Sequence, residues 1–487
     1  MLRFAILVGA CLLIPCMSAE GKAPSVAKAE ESMKRAGSYF ANRVATQGGY
    51  VYFYSLDLQR RWGEGVASPD QIWVQPPGTP TVGIAFLHAF DATGDEEYLN
   101  AGVAAARALI YGQLRSGGWT NSVDFNPKGE RVADYRNGKG RGKNNSSLDD
   151  GQTQSAICLL VRADKATEFK DRQIHDASLL AIKSLLAAQF PNGGFPQVWT
   201  GPVKSQPKRT ANYPTYDWRT EGRLKNYWDM YTLNDNVCGY VADALIEAHQ
   251  TYRSPVLMQS IQRLGEFLLS AQMPDPQPGW AQQYNYEMQP IWARKFEPPG
   301  VSGDETQEVI ETLMKIALAT ENAKYLGPIP KALAYLRRSE LPDGQLARFY
   351  ELETNRPLYM RRNGKQYSLT YSDAKLPGHY GWKTRNRVKE LDARYQMLLR
   401  SFEAGKLQST KESLGSSFAV GPLNRGFRPD EIANVIETLD AEGRWISTYD
   451  GGRLVGQPKM AVGSKYLSSE VFSRNLMALA DYLRASR

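Results

Sequence analysis

Two short acidic stretches of this sequence carry residue types that could bind a cation. They read SSLDDG at 146–151 and TLNDN at 232–236. An aspartate at the start of a helix usually caps backbone N–H groups and suits the helix dipole. Alternatively, Asp149 and Asp235 supply carboxylate oxygens to a hard cation such as Ca²⁺. Two aspartates alone form a weak site, which leaves coordination positions for oxygens of a substrate.

A third stretch, WARKFEPPGVSGDET at 292–306, places Arg294 before an acidic, proline-stiffened turn. Arginine keeps its charge up to about pH 12, so residue type alone favours an ion pair with Glu297 or a clamp on an anionic substrate. The loop RNGKGRGK at 136–143 is basic and rich in glycine. It is either a solvated loop or a funnel that leads polyanions towards Asp149.

The usual catalytic patterns are absent from the sequence. The 4 histidines lack the spacing of metal ligands, and no G-x-S-x-G or Walker sequence occurs. Histidine bases are therefore poor candidates, and a base must be sought among other residue types.

Helical patterns come in pairs, and similar glycine-containing loops separate the pairs. In the third pair, Val237, Val241, Ala244, Leu245 and Ala248 follow the spacing of one apolar helix face. Repeated helix pairs with long loops predict an all-α fold, an α/α toroid of repeated helical hairpins with long functional loops and a small C-terminal extension. The predicted pairs are 80–92 with 97–114, 150–163 with 171–189, 234–251 with 255–271, and 304–320 with 328–338.

Composition bounds the remaining possibilities. The chain has 487 residues and a formal charge of +8, which suits an anionic polymer as a partner. Residues 1–19 have the pattern of a cleaved secretory signal peptide, which predicts an exported, periplasmic or extracellular protein without a nucleic-acid partner or a membrane anchor after cleavage. We assign residues 20–400 to the toroid and 401–487 to an extension packed on it. Cleavage leaves Cys158 and Cys238, which we expect to be buried thiols.

Several stretches together resemble the family 10 polysaccharide lyases, which are pectate lyases. The resemblance covers most of residues 110 to 385 in the family's order. The matching stretches are KNNSSLDDGQT (143–153), LLAAQFPNGGFPQ (185–197), TLNDN (232–236), PIWARKFEPPGVSGDET (290–306) and ARFYELETNRPLYMRRNGK (347–365).

The resemblance implies a calcium-dependent anti-β-elimination of polygalacturonate by a monomeric toroid with a wide groove. It implies that Asp149 and Asp235 serve Ca²⁺ and the substrate carboxylate, and that Arg294 is the catalytic base. Arg348 becomes a partner of a substrate carboxylate. The same stretches supply three further candidates for substrate binding, which are Asn234, Lys143 and Arg356.

The sequence departs from the family in three places and leaves two other functions open. A histidine that is common in the family after the W-x-Q stretch is replaced in GWAQQYN by Gln283 and Tyr284. Asn236 stands where the family has glycine, and residues 200–230 form an aromatic insertion whose Tyr213, Trp218 and Trp228 either stack on sugars or pack internally. One alternative is a glycoside hydrolase on the same scaffold, with Asp149 and Asp235 as acid and base. The other is a protein that binds acidic polysaccharide without cleaving it.

Overall fold

The computed structural model describes residues 25–221, 226–407 and 429–486. The predicted signal peptide, residues 1–19, lies outside the described residues. No helix in the described residues combines the length and the apolar character that a bilayer span requires. Cys158 and Cys238 are buried and free, as predicted.

Helices account for most of the regular structure. In chain order they are α1 (Val26–Tyr39), α2 (Thr79–Thr93), α3 (Glu96–Tyr111), α4 (Gln152–Ala166), α5 (Arg172–Ala187), α6 (Trp218–Glu221), α7 (Val237–Tyr252), α8 (Pro255–Ser270), α9 (Gly303–Thr320), α10 (Ile329–Arg338), α11 (Val388–Glu403), α12 (Pro429–Glu437) and α13 (Ser469–Ser486).

The helices form two layers. In the inner layer α2 packs on α4, α4 on α7 and α7 on α9, while α3, α5, α8 and α10 pack outside as the partners of α2, α4, α7 and α9. This arrangement of successive hairpins confirms the predicted α/α toroid. The four predicted helix pairs are confirmed, with ends that differ by a few residues.

Burial along the helices explains the two layers. The outer helix α8 buries Leu257, Ile261, Leu264 and Leu268, whose spacing of three or four residues defines a single apolar face. The inner helix α4 is buried at nearly every position from Gln152 to Ala163, because neighbours surround it. Inner helices therefore expose mainly their ends, and the loops beside those ends are free to carry function.

The C-terminal residues join the N-terminal ones. Helix α13 packs on α1 and α2, and the rings of Phe40 and Phe472 stack with their centroids 3.7 Å apart. Helix α11 packs on α9 and α10. The last helix of the chain is thus in direct contact with the first two.

Short strands connect the helix ends. They are β1 (Phe53–Ser55), β2 (Arg61–Trp62), β3 (Gln71–Trp73), β4 (Ser122–Asp124), β5 (Ser146–Ser147), β6 (Val198–Trp199), β7 (Tyr231–Thr232), β8 (Trp280–Ala281), β9 (Gln283–Tyr284), β10 (Val301–Ser302), β11 (Leu346–Ala347), β12 (Phe349–Tyr350), β13 (Pro357–Asn363), β14 (Gln366–Thr370), β15 (Lys383–Thr384), β16 (Ile446–Thr448) and β17 (Lys465–Ser468).

Two of the sheets matter for the site. The largest has the strand order β14-β13-β12-β10-β8, and a second joins β16, β17, β1 and β2. Strand β10 pairs with β12, so that Ser302 lies opposite Phe349. This pairing sets Arg348, which stands between β11 and β12, against the start of α9, where its carbonyl accepts a hydrogen bond from the N–H of Gly303 at 3.3 Å.

Candidate active site

The two acidic stretches adopt the same unusual backbone. Each forms a single 3₁₀ turn, Asp149–Gly151 before α4 and Asn234–Asn236 before α7. Asp150 and Asp235 have φ values of 45° and 51°, in the left-handed region that Asp, Asn and Gly tolerate best. The next residues, Gly151 and Asn236, are also left-handed, with φ values of 73° and 57°. Asn236 therefore adopts the left-handed conformation that Gly151 has in the equivalent turn.

The kinked turns interrupt the backbone just before α4 and α7. No side chain caps the start of α4 or of α7, so the capping interpretation is wrong. The two turns lie against each other because α4 and α7 are neighbours in the inner layer. In these two turns Asp150 corresponds to Asp235 and Asp149 corresponds to Asn234, and the contact between the turns places Asp149 and Asp235 at one rim of the toroid.

Asp149 is a half-buried carboxyl with one hydrogen bond to a side chain. Its Oδ1 accepts a hydrogen bond from Gln197 Nε2 at 2.6 Å. Burial, followed by the charge of Asp235, raises the pKa of Asp149 to about 6. Burial and the charges of Asp235 and Asp149 raise the pKa of the adjacent Asp150 to about 8. This corner of the rim therefore holds more negative charge than its surroundings compensate.

Asp235 is held between two arginines. Its Oδ2 lies 3.9 Å from Arg294 Nη2, and its Oδ1 lies 3.4 Å from Arg348 Nη2. Asn234 Nδ2 donates to Oδ2 at 2.8 Å, which fixes the carboxylate in place. Three predicted site residues, Asn234, Arg294 and Arg348, thus contact the carboxylate of Asp235. They come from segments of the chain that lie more than fifty residues apart.

Arg294 is bound more tightly by Glu297 than by Asp235. Its Nη2 lies 2.5 Å from Glu297 Oε1, and its backbone N–H donates to Oε2 at 2.9 Å. Glu297 is only 2% exposed and also accepts from Gln282. Burial acts to lower the pKa of Arg294, but the hydrogen bond and charge of Glu297, together with Asp235, outweigh it and raise that pKa.

Arg348 is surrounded by acids at the start of α9. Nη1 lies 3.0 Å from Asp304 Oδ2, and Nη2 lies 2.7 Å from Glu305 Oε1. The ring of Tyr380 lies near both guanidinium carbons, with its centroid 5.8 Å from that of Arg294 and 5.2 Å from that of Arg348. Arg348 is therefore fixed in position, and its charge is shared among three carboxylates.

The other predicted residues differ in their placement. Asn234 is buried beside Asp235, whereas the side chain of Lys143 is exposed and forms no ion pair with a described residue. Arg356 stacks on Tyr371, with its guanidinium carbon 3.5 Å from the ring centroid. The structure gives neither Lys143 nor Arg356 a contact with Asp149 or Asp235.

The described part of the aromatic insertion packs on the protein. Trp218 is 6% exposed and its carbonyl accepts from Trp292, while the hydroxyl of Tyr213 donates to the carbonyl of Pro274. Internal packing therefore describes Trp218 and Tyr213.

Four residues that contact the site were not predicted as site residues from the sequence: Gln197, Asp304, Glu305 and Tyr380. Asp304 and Glu305 stand in the SGDET segment, which has the pattern of a helix start, and that pattern hid their contacts with Arg348. Acidic residues at the start of a further inner helix were the available signal. Tyr380 has no such signal, because it lies in a long loop and reaches the arginines only through the fold.

The donor set suits a weakly held hard cation. No group of three or more His, Cys, Asp or Glu side chains is arranged as a metal site among residues 25–221, 226–407 and 429–486. Asp149 and Asp235 lie close enough for the charge of Asp235 to raise the pKa of Asp149, and Oδ2 of Asp149 has no hydrogen bond to a described residue. A divalent cation held by these two residues fits the excess negative charge, with further ligands left to substrate and water.

Comparisons with known proteins address the family. Residues 113–346 match the family model described as pectic acid lyase. Comparison with curated protein sequences gives no match.

Among solved structures, a family 10 polysaccharide lyase from Cellvibrio cellulosa is 21% identical, with a TM-score of 0.46 over 60% of this chain and 91% of that one. An aspartate-to-alanine variant of it in complex with trigalacturonic acid is 21% identical, with a TM-score of 0.46 over 60% of this chain and 92% of that one. A cellobiose 2-epimerase from Bacillus thermoamylovorans is 13% identical, with a TM-score of 0.46 over 94% and 99% of the two chains. The matched region contains Asp149, Asp235 and Arg294, and the match confirms that residues 113–346 resemble the pectic acid lyases.

Proposed function

We propose that this protein is a calcium-dependent pectate lyase. It cleaves polygalacturonate by anti-β-elimination and releases 4,5-unsaturated oligogalacturonides. The observation that carries the proposal is the contact of Arg294 and Arg348 with the two sides of Asp235, beside Asp149. This arrangement falls largely within the region that matches the pectic acid lyase family.

The reaction needs both a base and positive charge. The C5 proton of a galacturonate is acidic because the adjacent carboxyl group can take up the resulting charge as an enolate. An ionised carboxylate resists a second charge, so cations must stabilise the transition state. Arg294 and Arg348 are the cations that would face the substrate carboxylate. Both contact the carboxylate of Asp235, so both lie at the rim where the substrate would bind.

Asp149 and Asp235 are the residues that would hold Ca²⁺. When bound, Ca²⁺ supplies positive charge next to the substrate carboxylate and so favours the enolate-like transition state. Asn234 keeps the Asp235 carboxylate oriented through its 2.8 Å hydrogen bond, and Gln197 does the same for Asp149.

Arg294 removes the C5 proton in this proposal. The proton passes from C5 to the neutral guanidine, the C4–O4 bond breaks, and the electron pair of the C5–H bond forms the C4–C5 double bond. The departing O4 takes a proton from solvent. The step requires a deprotonated Arg294, whereas Glu297 and Asp235 favour the charged form. Activity at alkaline pH is therefore expected, where the neutral fraction of Arg294 is larger.

The proposed substrate agrees with the charge and location predicted from the sequence. A net charge of +8 favours association with a polyanion such as polygalacturonate. An exported protein, periplasmic or extracellular, would meet this plant polymer directly. We propose that the protein acts there as a monomer.

The products distinguish this function from its alternatives. Elimination creates a 4,5-unsaturated uronide that absorbs in the ultraviolet, and each cleavage also yields one reducing end. The proposal predicts that both signals rise together on polygalacturonate. Reducing ends without absorbance would indicate the hydrolase, and retention of the polymer with neither signal would indicate a binding protein.

A further inference from the structure

A pocket of about 570 Å³ lies beside the catalytic rim, and the C-terminal part of the chain forms one of its walls. Asp150, the neighbour of Asp149, also lines the pocket. The lining residues that are used below are Glu64, Gln75, Asp150, Tyr240 and Arg453, the last within the loop 453–457.

The loop 453–457 is held against the N-terminal half of the chain. Gly456 has a φ of +67°, and a Cβ at this position would lie 2.4 Å from the carbonyl oxygen of Gly63. Only glycine allows this approach without displacing the backbone. The loop therefore has a defined position against Gly63 and Glu64.

Arg453 brings a positive charge to a pocket that also holds the carboxyl groups of Glu64 and Asp150. Its side chain is exposed and forms no ion pair with any residue in the described ranges. Burial and the charges of Arg362, Arg294 and Arg453 lower the pKa of His379. Arg453 is thus close enough to act electrostatically on a residue that also feels the charge of Arg294.

Other residues that line the pocket supply groups of the kind that bind sugar hydroxyls. Gln75 Nε2 donates to Asp150 Oδ2 at 2.9 Å and to Glu64 Oε1 at 3.3 Å. Gln75 is 3% exposed, and its Oε1 has no hydrogen-bond partner among the described residues. The ring of Tyr240 lies beside Gly151 and adds an apolar surface. Acceptors, an aromatic ring and one free arginine are together suited to an acidic sugar.

We propose that this pocket is an additional uronate-binding subsite, in which Arg453 of the C-terminal segment binds the carboxylate of a sugar unit next to the cleavage site. The proposal rests on the proposed function for the class of substrate. It assigns to the C-terminal segment a direct part in recognising the polymer.

Binding of trigalacturonate and of longer oligogalacturonates tests this subsite. Both proteins compared by calorimetry carry Arg294→Ala, so that the oligosaccharide is cleaved only slowly during the titration. One of them also carries Arg453→Ala. Loss of a charge-assisted hydrogen-bonded pair is expected to weaken binding by about tenfold or more. Arg453→Lys should restore part of the affinity, and Arg172→Ala, an exposed arginine at the start of α5, should leave it unchanged.

The steady-state kinetics of the Arg453→Ala single variant supply a second readout. We expect a raised KM and a nearly unchanged kcat. Arg453 takes no part in removing the C5 proton, which the proposed function assigns to Arg294, or in holding Ca²⁺, which it assigns to Asp149 and Asp235. The rise should be larger for oligomers long enough to fill the pocket than for short ones.

The outcomes separate this inference from the proposed function. Unchanged affinity and KM in Arg453→Ala, with melting as in the wild type, would overturn the subsite while leaving the lyase proposal intact. Affinity that depends on Arg453 in a protein that forms no unsaturated product would support the subsite and reject the lyase. A wild-type protein that binds no oligogalacturonate overturns the subsite.

Discussion

The guanidinium of Arg294 is hydrogen-bonded to the buried carboxylate of Glu297, with Nη2 and Oε1 2.5 Å apart. The partner is three residues away on the same proline-stiffened turn, so the pair is fixed locally. Because Glu297 favours the charged arginine, it acts against the use of Arg294 as a base. The pair therefore gives a direct way to separate a base from a charged clamp.

Glu297→Gln should move the pH dependence of turnover. Burial lowers the pKa of Arg294 and Glu297 raises it, so removal of the negative charge lowers that pKa. The neutral base then becomes more abundant at a given pH, and the rising limb of kcat against pH shifts to lower pH. The measurement is a pH–rate profile on polygalacturonate. A clamp would lose nothing by staying charged, so an unmoved profile with normal folding would exclude the role of base.

Arg294→Ala should lose nearly all turnover while the protein remains folded. The side chain is partly exposed at the rim, but its loss leaves the buried carboxylate of Glu297 without its guanidinium partner, so a lower melting temperature is expected. General base catalysis typically contributes about 10²–10⁴-fold, so kcat should fall at least that far. Arg172→Ala is the control for a general effect of lost charge. A kcat within a few-fold of the wild type would reduce Arg294 to a substrate contact.

Much of the site was predictable from the sequence because its residues stand in short, distinctive stretches. Asp149 and Asp235 lie in the two stretches that open neighbouring inner helices, and the helix-pair pattern alone predicts that they share a rim. Their left-handed turns were not predictable, because Asp also fits an ordinary helix cap, and the choice depends on the packing of the two turns together.

Contacts between distant segments were the other unpredicted part. Phe472 stacks on Phe40, which lies over four hundred residues earlier. The sequence does not predict this contact, because an apolar helix face does not specify its partner. The loop of Arg453 and the ring of Tyr380 were missed for the same reason, since neither has a local pattern.

Calcium should bind to the protein in a way that depends on Asp149. Addition of Ca²⁺ is expected to raise the melting temperature of the wild type, because a ligand that binds the folded state stabilises it. Asp149→Asn should lose this rise, and chelator should abolish it in the wild type. Calorimetric titration and thermal melting measure the effect without reference to activity. An equal rise in both proteins would remove Asp149 from the metal site.

The same experiment has a defined pH dependence. The pKa of Asp149 is raised to about 6, so the carboxyl is protonated below that pH and cannot hold Ca²⁺ well. Calcium affinity should therefore fall as the pH drops below 6. In the absence of calcium, the stability of the folded protein changes with pH in the opposite direction to the calcium affinity. A carboxyl with a raised pKa favours folding at low pH, and this contribution is lost as the pH rises through about 6.

Arg348→Ala should weaken both substrate binding and folding. Glu305 is fully buried, and removal of Arg348 leaves its charge uncompensated, which costs about 3 kcal/mol. Burial raises the pKa of Glu305 to about 7 and Arg348 opposes that rise. Without the arginine the pKa rises further, so the loss of stability should be larger at pH 8 than at pH 5.

Arg348→Lys separates the two effects. Lysine keeps a positive charge near Glu305 but cannot contact Asp304, Glu305 and Asp235 with one planar group. We expect it to fold better than the alanine variant and still show a raised KM for oligogalacturonates. Wild-type kinetics in the lysine variant would contradict a specific role of the guanidinium in substrate binding.

The ultraviolet absorbance of products from polygalacturonate, followed at alkaline pH with Ca²⁺ and with chelator, tests the central claim most directly. We expect the absorbance to increase in the presence of Ca²⁺. The increase should stop when chelator is added, resume when Ca²⁺ is restored, and be nearly absent in Arg294→Ala. An absorbance that never rises in the folded wild-type protein with Ca²⁺ present, or one that chelator leaves unchanged, would contradict this claim.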